Sequence, residues 1–195
     1  FALSAVQTID PMQQLGEYWR SLLPADGGLP DRRDVGPNRQ IANLLPHLIL
    51  MEVTKDDVVF RLVGTGHSAR VPHDITGRRY GDYIGAERIA RGVKRAGSMI
   101  QYACGARVLV RERYERERQE EVIMNCLPLI DGKSGAPFIL AHAGTTLALE
   151  ELLQVEGPFL TQPFSGFEFV DLGFGLPPAD ICARDETPFP EAFNR

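Results

Sequence analysis

Between Arg107 and Gly144 three strand-like runs follow one another, and this stretch limits the possible folds more than any other. Arg107-Val-Leu-Val-Arg-Glu-Arg-Tyr114 alternates, with Val108, Val110 and Tyr114 on one side and Arg107, Leu109, Arg111 and Arg113 on the other. That is the period-two pattern of a strand with one wetter face. Glu121 to Ile130 is apolar on both faces, as in a strand covered on each side. Pro137 to Gly144 is the third run. The polar link Glu115 to Glu120 and the glycine-bearing turn Asp131 to Ala136 are both short. Parallel pairing would need a long crossover, so these three strands form an antiparallel meander.

Upstream, His47 to Thr54 and Val58 to His67 flank the polar turn Lys55-Asp56-Asp57 and read as a hairpin. Between hairpin and meander, Pro72, Gly77, Gly81 and Gly85 cut the chain into short pieces, with Asp74 to Tyr80 an irregular turn. A longer helix follows over Ala86 to Tyr102. Ile89, Val93, Ala96, Ile100 and Ala103 mark its buried face, and Gly105 stops it. The order predicts an α+β domain: a five-stranded antiparallel sheet with helices over one face. Phe60–Thr65 and Glu121–Ile130, apolar on both sides, are expected as inner strands.

At the N-terminal end, Asp10-Pro-Met-Gln13 combines a cap, a first-turn proline and a capping-box glutamine. Met12, Leu15, Trp19 and Leu22 then recur at helical spacing until Pro24 and Gly27-Gly28. This stripe either staples the helix to the chain's own core or forms the seam of a homodimer, and those four residues are the interface candidates. Val108, Val110 and Tyr114 would offer an apolar patch to receive it. Leu29 to Pro46 is a polar approach ending in a short helix, Asn38 to Leu45. Its Arg32 and Arg33, set among Asp31 and Asp34, suit local salt bridges or, alternatively, an anionic ligand. Leu147 to Leu153 can add a helical turn or two. From Gly157 the chain turns to Gly, Pro and Phe, and the repeated Phe159, Phe164, Phe167, Phe169, Phe174 and Phe189 suggest an arm lying on another surface. The expected divisions are 1–46 for helix and approach, 47–147 for the core domain, and 148–195 for the acidic arm.

A net charge of −5 argues against general nucleic-acid binding. The charge is uneven: Arg88 to Arg118 carries nine Arg/Lys against three Glu, whereas Ala148 to Arg195 carries two Arg against nine Asp/Glu. These are two solvated surfaces of opposite sign, or an acidic tail that docks on a basic segment. No apolar run reaches the length of about 20 residues that spans a bilayer, and no basic-then-apolar signal opens the chain from Phe1. Cys104, Cys126 and Cys182 lack zinc or redox spacing, which points to a cytoplasmic home. Phosphate loop, His-Glu-x-x-His, nucleophile elbow and Cys-x-x-Cys are all absent. Gly64-Thr-Gly66 lacks the glycine spacing of a dinucleotide turn.

The order of elements, together with Phe60-Arg-Leu-Val-Gly-Thr65, Asp74-Ile-Thr-Gly-Arg-Arg-Tyr80 and Leu127-Pro-Leu-Ile-Asp-Gly132, resembles the PAS fold. Tyr18-Trp19-Arg20, Arg33-Asp34-x-x-Pro37 and Leu44-Leu-Pro-His-Leu-Ile-Leu50 are similar to a family of small stand-alone PAS proteins common in alphaproteobacteria. The resemblance covers about Leu15 to Thr146. It implies a sensor or adaptor that holds a small ligand or a signalling partner between sheet and helices, with output through protein–protein contact and dimerisation. The family's flavin type carries Asn-Cys-Arg after the first helical turn, and Ser68 to Tyr83 has no Cys; its haem type has a His on the long helix, and Ile84 to Gly105 has none. Cys104 could carry a thioester chromophore, although a buried structural thiol is its ordinary role. The ligand stays open, and an uncoloured small molecule is expected rather than flavin or haem.

Asn125 and His142, polar groups in apolar strands, are ligand candidates, and hydrogen bonding within the chain is their ordinary alternative. Arg61 would suit a carboxylate or phosphate, and Tyr83 and Tyr102 could line a lid. The rival readings are a structural dimerisation module with a filled core and a cone-fold lyase or isomerase, which would need an acid–base pair in its pocket.

Overall fold

In a computed structural model, residues 10–67, 74–113, 119–145, 160–161 and 166–182 are described. β1 (Leu48–Val53) and β2 (Val58–Val63) form the hairpin, and β3 (Gly105–Arg113), β4 (Gln119–Ile130) and β5 (Pro137–Thr145) the meander. β6 (Leu160–Thr161) and β7 (Gly166–Val170) follow. Every pairing between these strands is antiparallel, in the order β2-β1-β5-β4-β3, with β6 and β7 both on the outer side of β3. The architecture is the α+β sheet expected, with two strands more than the five read from sequence. Both extra strands come from the Phe-rich segment, where Gly166–Val170 supplies the backbone partners that the edge of β3 would otherwise lack.

The expectation that Phe60–Thr65 is an inner strand is corrected: β2 lies at the sheet edge. Its outer side is taken by the loop instead of a strand. The Phe60 N–H donates to the Arg78 carbonyl at 3.1 Å, and the N–H groups of Gly77 and Tyr80 donate to the Phe60 and Val58 carbonyls at 2.7 Å. Tyr80 and Tyr83 then cover the Phe60 ring edge-on, which is why that residue could read as doubly buried. β2 also ends earlier than expected. Gly64 turns in under the preceding segment, where a Cβ would collide with the Pro46 carbonyl oxygen, and Thr65–His67 is a 3-10 turn. The glycines of Gly64-Thr-Gly66 are thus explained by close packing.

Among the described residues the middle and end of the chain add α2 (Gly81–Ile84), α3 (Ala86–Tyr102) and α4 (Ala179–Cys182). α3 has the range expected, but Gly105 does not stop it. The left-handed cap is Ala103, at φ 48°, and Gly105 already opens β3. What needs glycine there is the approach of the N-terminal helix, since a Cβ would lie 2.6 Å from the Met12 terminal methyl.

That helix, α1 (Pro11–Ser21), is capped by the Asp10 carboxylate, which accepts the Met12 N–H at 3.0 Å. The capping box does not close as expected: the Gln13 amide goes to Glu17. The sheet separates two apolar clusters. On one face, α2 and α3 cover Met51, Phe60, Val108, Val110, Cys126 and Ile139. On the other, α1 lies with Leu48, Leu127, Leu129, Phe138 and Leu140. Met12, Leu15 and Trp19 are fully buried there and Leu22 is half-buried, so the four interface candidates are side chains of the chain's own core. Val108 and Val110 do not receive them as expected, because they face α3; Tyr114 lies outside the described residues. The face of Arg107 and Leu109, read as the wetter one, is covered as well, with Leu109 fully buried.

The approach segment folds as 3-10 turns at Arg32–Asp34, Arg39–Ile41 and Leu45–His47 rather than as one helix over Asn38–Leu45, since Asn38 caps a single turn by accepting the Gln40 N–H. Of its arginines only Arg33 makes the expected local pair, with Asp31; Arg32 reaches instead to Asp131 in the turn after β4, at 2.5 Å. The turn expected over Leu147–Leu153 falls outside the described residues.

Candidate functional site

α3 presents Gly92 and Ala96, one turn apart, to a sheet surface that carries Ala106. Three small side chains facing one another leave bulk missing, and a cavity of about 80 Å³ results between α3 and the sheet. Met51, Met99, Val108, Ile139 and Phe167 of β7 are among the residues that line it. The lining is almost wholly apolar. An engineered apolar cavity of about 150 Å³ stays dry and takes up benzene or xenon. Drug-sized ligands occupy about 300 Å³ or more, so a flavin or haem does not fit this cavity.

Arg95 is the one charged residue of the lining among the described residues. It is 9% exposed, and its guanidinium carbon lies 3.9 Å from the centre of the Phe167 ring. A desolvated contact of that kind contributes about 2 kcal/mol. Cys126 also reaches the cavity, but burial pushes its thiol up to about 12, so it stays protonated and is a poor nucleophile at neutral pH.

The five ligand candidates read from sequence fall in three other places. Asn125 and His142 are cross-strand neighbours on the α1 face, beside Leu127, Leu129 and Leu140. They belong to a polar row that crosses the sheet. Arg107 donates to the Asn125 side-chain oxygen at 3.3 Å, to Glu168 of β7 at 3.2 Å and to Asp10 of the α1 cap at 2.8 Å. At the other end of the row the His142 ring meets His47 edge-on at 6.0 Å, and His47 meets His67 at 5.9 Å. Arg61 is exposed on β2 and donates to Glu52 at 2.7 Å. Tyr83 packs edge-on to Phe60, and Tyr102 is half-buried near the end of α3. None of the five lines the cavity. Polar residues in apolar strands mark the row on the far face; the cavity is marked by absent bulk at Gly92, Ala96 and Ala106, a signal the sequence carries without saying which of the three meet.

Asp57 was read only as part of a turn, yet it ties the hairpin to α2. It is 4% exposed and accepts the N–H groups of Val58 and Gly81 at 2.7 and 2.9 Å and the Arg79 guanidinium at 2.8 Å. Burial raises its pKa, but these three donors outweigh burial and hold the carboxyl below the ordinary range. Among the described residues no cluster of His, Cys, Asp and Glu is placed to hold a metal ion, and no helix is long and apolar enough to cross a membrane.

With this geometry in view, a family model described as a PAS domain matches residues 7–141. No curated protein matches the chain. Among solved structures, that of a fungal LOV domain photoreceptor, from work on a pathway integrating blue light and oxidative stress, aligns at 16% identity with a TM-score of 0.42. The alignment spans 70% of this chain and 92% of the other.

Proposed function

The chain belongs to the PAS-domain family, and from that premise we propose that it is a sensory domain whose signal is a small molecule with an apolar part held between α3 and the sheet. The observation that carries this reading is the apolar cavity left by Gly92, Ala96 and Ala106. Output would pass to a signalling protein through contact. Phe167 supports that route, because it is both a wall of the cavity and part of β7, so occupancy of the cavity bears directly on the last strand of the sheet. The same lining weighs against the lyase or isomerase reading: beside the Tyr80 phenol its polar groups are an arginine, which cannot serve as a base, and a thiol held protonated, with no carboxylate or histidine to complete an acid–base pair among the described residues.

The four methionines allow a direct test. Met51, Met99 and Met124 line the cavity, whereas Met12 lies on the opposite face. Xenon under pressure should shift the three cavity methyl resonances saturably in a methionine-labelled sample and leave Met12 unmoved. Ala96→Leu should fill the space and remove the response. No saturable shift in the wild-type protein, or an undiminished one in Ala96→Leu, would overturn the reading.

A further inference from the structure

The basic side of α3 does not simply face water. Arg91, Lys94, Arg95 and Ser98 stand at helical spacings of three and four, which places them on one surface. Opposite them lie Phe169 of β7 and Ile181 of α4, and the two walls enclose an open groove of about 510 Å³. That is the size of small-molecule sites. Phe169 and Ile181 both lie beyond residues 7–141, so the second wall belongs to this chain's own C-terminal segment and not to the region shared with the family. Of the acidic side chains described nearby, Glu87 pairs with Arg91 at 3.6 Å on the exposed rim, and Glu168 meets Arg107.

Arg95 lines both spaces. Its guanidinium, pinned against Phe167, stands where the apolar cavity meets the cationic groove. A neutral apolar ligand would gain nothing from three cations at that mouth, and a small hydrophilic anion would gain nothing from the cavity behind it. From this juxtaposition we infer that the ligand is an amphiphilic carboxylate: its head group lies in the groove against Arg95 and Lys94, and its apolar end passes Arg95 into the cavity beneath α3. Arginine's planar fork suits a carboxylate, and the apolar atoms of Phe169, Ile181 and Ala90 accommodate the chain between head and cavity. At about 80 Å³ the cavity takes only the tip of that chain, which makes the groove the principal determinant of affinity.

The inference rests on the sensory reading above but fails separately from it. Sodium octanoate is the probe, with octan-1-ol (same body, no charge) and acetate (same charge, no body) as comparisons, all titrated calorimetrically into the full chain. Octanoate should bind at least tenfold more tightly than either. Raising the salt from low to high should weaken octanoate and leave octan-1-ol unchanged. Arg95→Met, which keeps an unbranched apolar stem but loses the guanidinium stacked on Phe167, should cost octanoate at least tenfold, and the exposed Lys94→Gln several-fold. Should Arg95→Met fail to fold by circular dichroism, Lys94→Gln and the salt series decide. Equal affinity for octanoate and octan-1-ol, or octanoate binding that neither variant nor salt alters, overturns the carboxylate assignment while a saturable xenon response would leave the cavity standing. Absence of octanoate binding overturns it likewise.

Discussion

Replacing Trp19, the only tryptophan of the chain, separates the two destinations open to the N-terminal stripe. Its side chain is fully buried, and its indole N–H donates to the Pro128 carbonyl at 2.6 Å. Trp19→Ala removes that side chain from a closed core, a change that costs about 3–5 kcal/mol. It also strands a buried carbonyl, at about 1–3 kcal/mol. The two overlap, so the expected loss is about 4–6 kcal/mol against a typical total of about 5–15. Trp19→Phe keeps an aromatic ring, loses the donor and should cost about 1–3 kcal/mol. With a urea slope of about 2 kcal/mol per molar, the midpoints fall by about 2–3 M for alanine and about 1 M for phenylalanine. Unfolding is followed by far-ultraviolet circular dichroism, since the variants lack the fluorophore, and mass by light scattering. A Trp19→Ala protein within about 1 kcal/mol of wild type, or one that keeps its fold while its mass halves, would refute the intrachain assignment and return the stripe to a dimer seam.

Two further substitutions probe the ties that frame the cavity. Asp57→Asn should destabilise by about 1.5–3 kcal/mol at pH 7, the range for hydrogen bonds to a charged group. Because the folded carboxyl lies below its ordinary value of 3.8, this stabilisation is present above that pH and is lost as the pH falls through the folded pKa. The gap between wild type and variant should therefore narrow in acid denaturation curves below pH 4 or so; a constant gap would remove the ionised carboxylate from the account. Phe167→Ala should loosen β7 before the rest, so hydrogen exchange should rise in Gly105–Leu109 ahead of β4 and β5. Exchange that rises uniformly would mean that β7 has no local opening of its own.

The strand order was legible because it rests on local signals. Two groups of period-two runs, with connections too short for crossovers, leave few ways to build one sheet, and the 17 residues of α3 stood out by their spacing. Position within the sheet was harder to read. Phe60 looked like a residue covered by strands on both sides, yet a loop and two tyrosines supply the same cover. The helix stop was misplaced because glycine has two uses: Gly105 makes room for Met12, while Ala103 takes the left-handed turn. Alternation places the polar candidates Asn125 and His142 on one side with Leu127 and Leu140, but it does not name the face, and that face belongs to α1. The strand in the C-terminal segment was least legible. Gly166-Phe-Glu-Phe-Val170 is short and alternating, and what makes it a strand is the open edge of β3, about 60 residues away in sequence.

The two faces of the sheet differ in how firmly they are held, and the difference bears on how a signal could travel. On the α1 face, polar bonds add to apolar packing: Trp19 to Pro128, Arg20 to the Leu172 carbonyl at 3.0 Å, and Arg107 to three partners at once. Two of these ties, Arg20 to Leu172 and Arg107 to Glu168, fasten the segment after Gly166 to the same side as α1. On the α3 face Asp57 ties the hairpin to α2, but the packing beneath Gly92 and Ala96 is apolar and interrupted by a void, with Arg95 stacked on Phe167 at its edge. Dispersion contacts across a gap weaken steeply with distance, so α3 can shift against the sheet at less cost than α1 can. A molecule that fills the void would move α3 rather than α1. That displacement would be felt first at β7, which holds Phe167 toward the cavity and Glu168 toward Arg107 on alternate sides of one short strand.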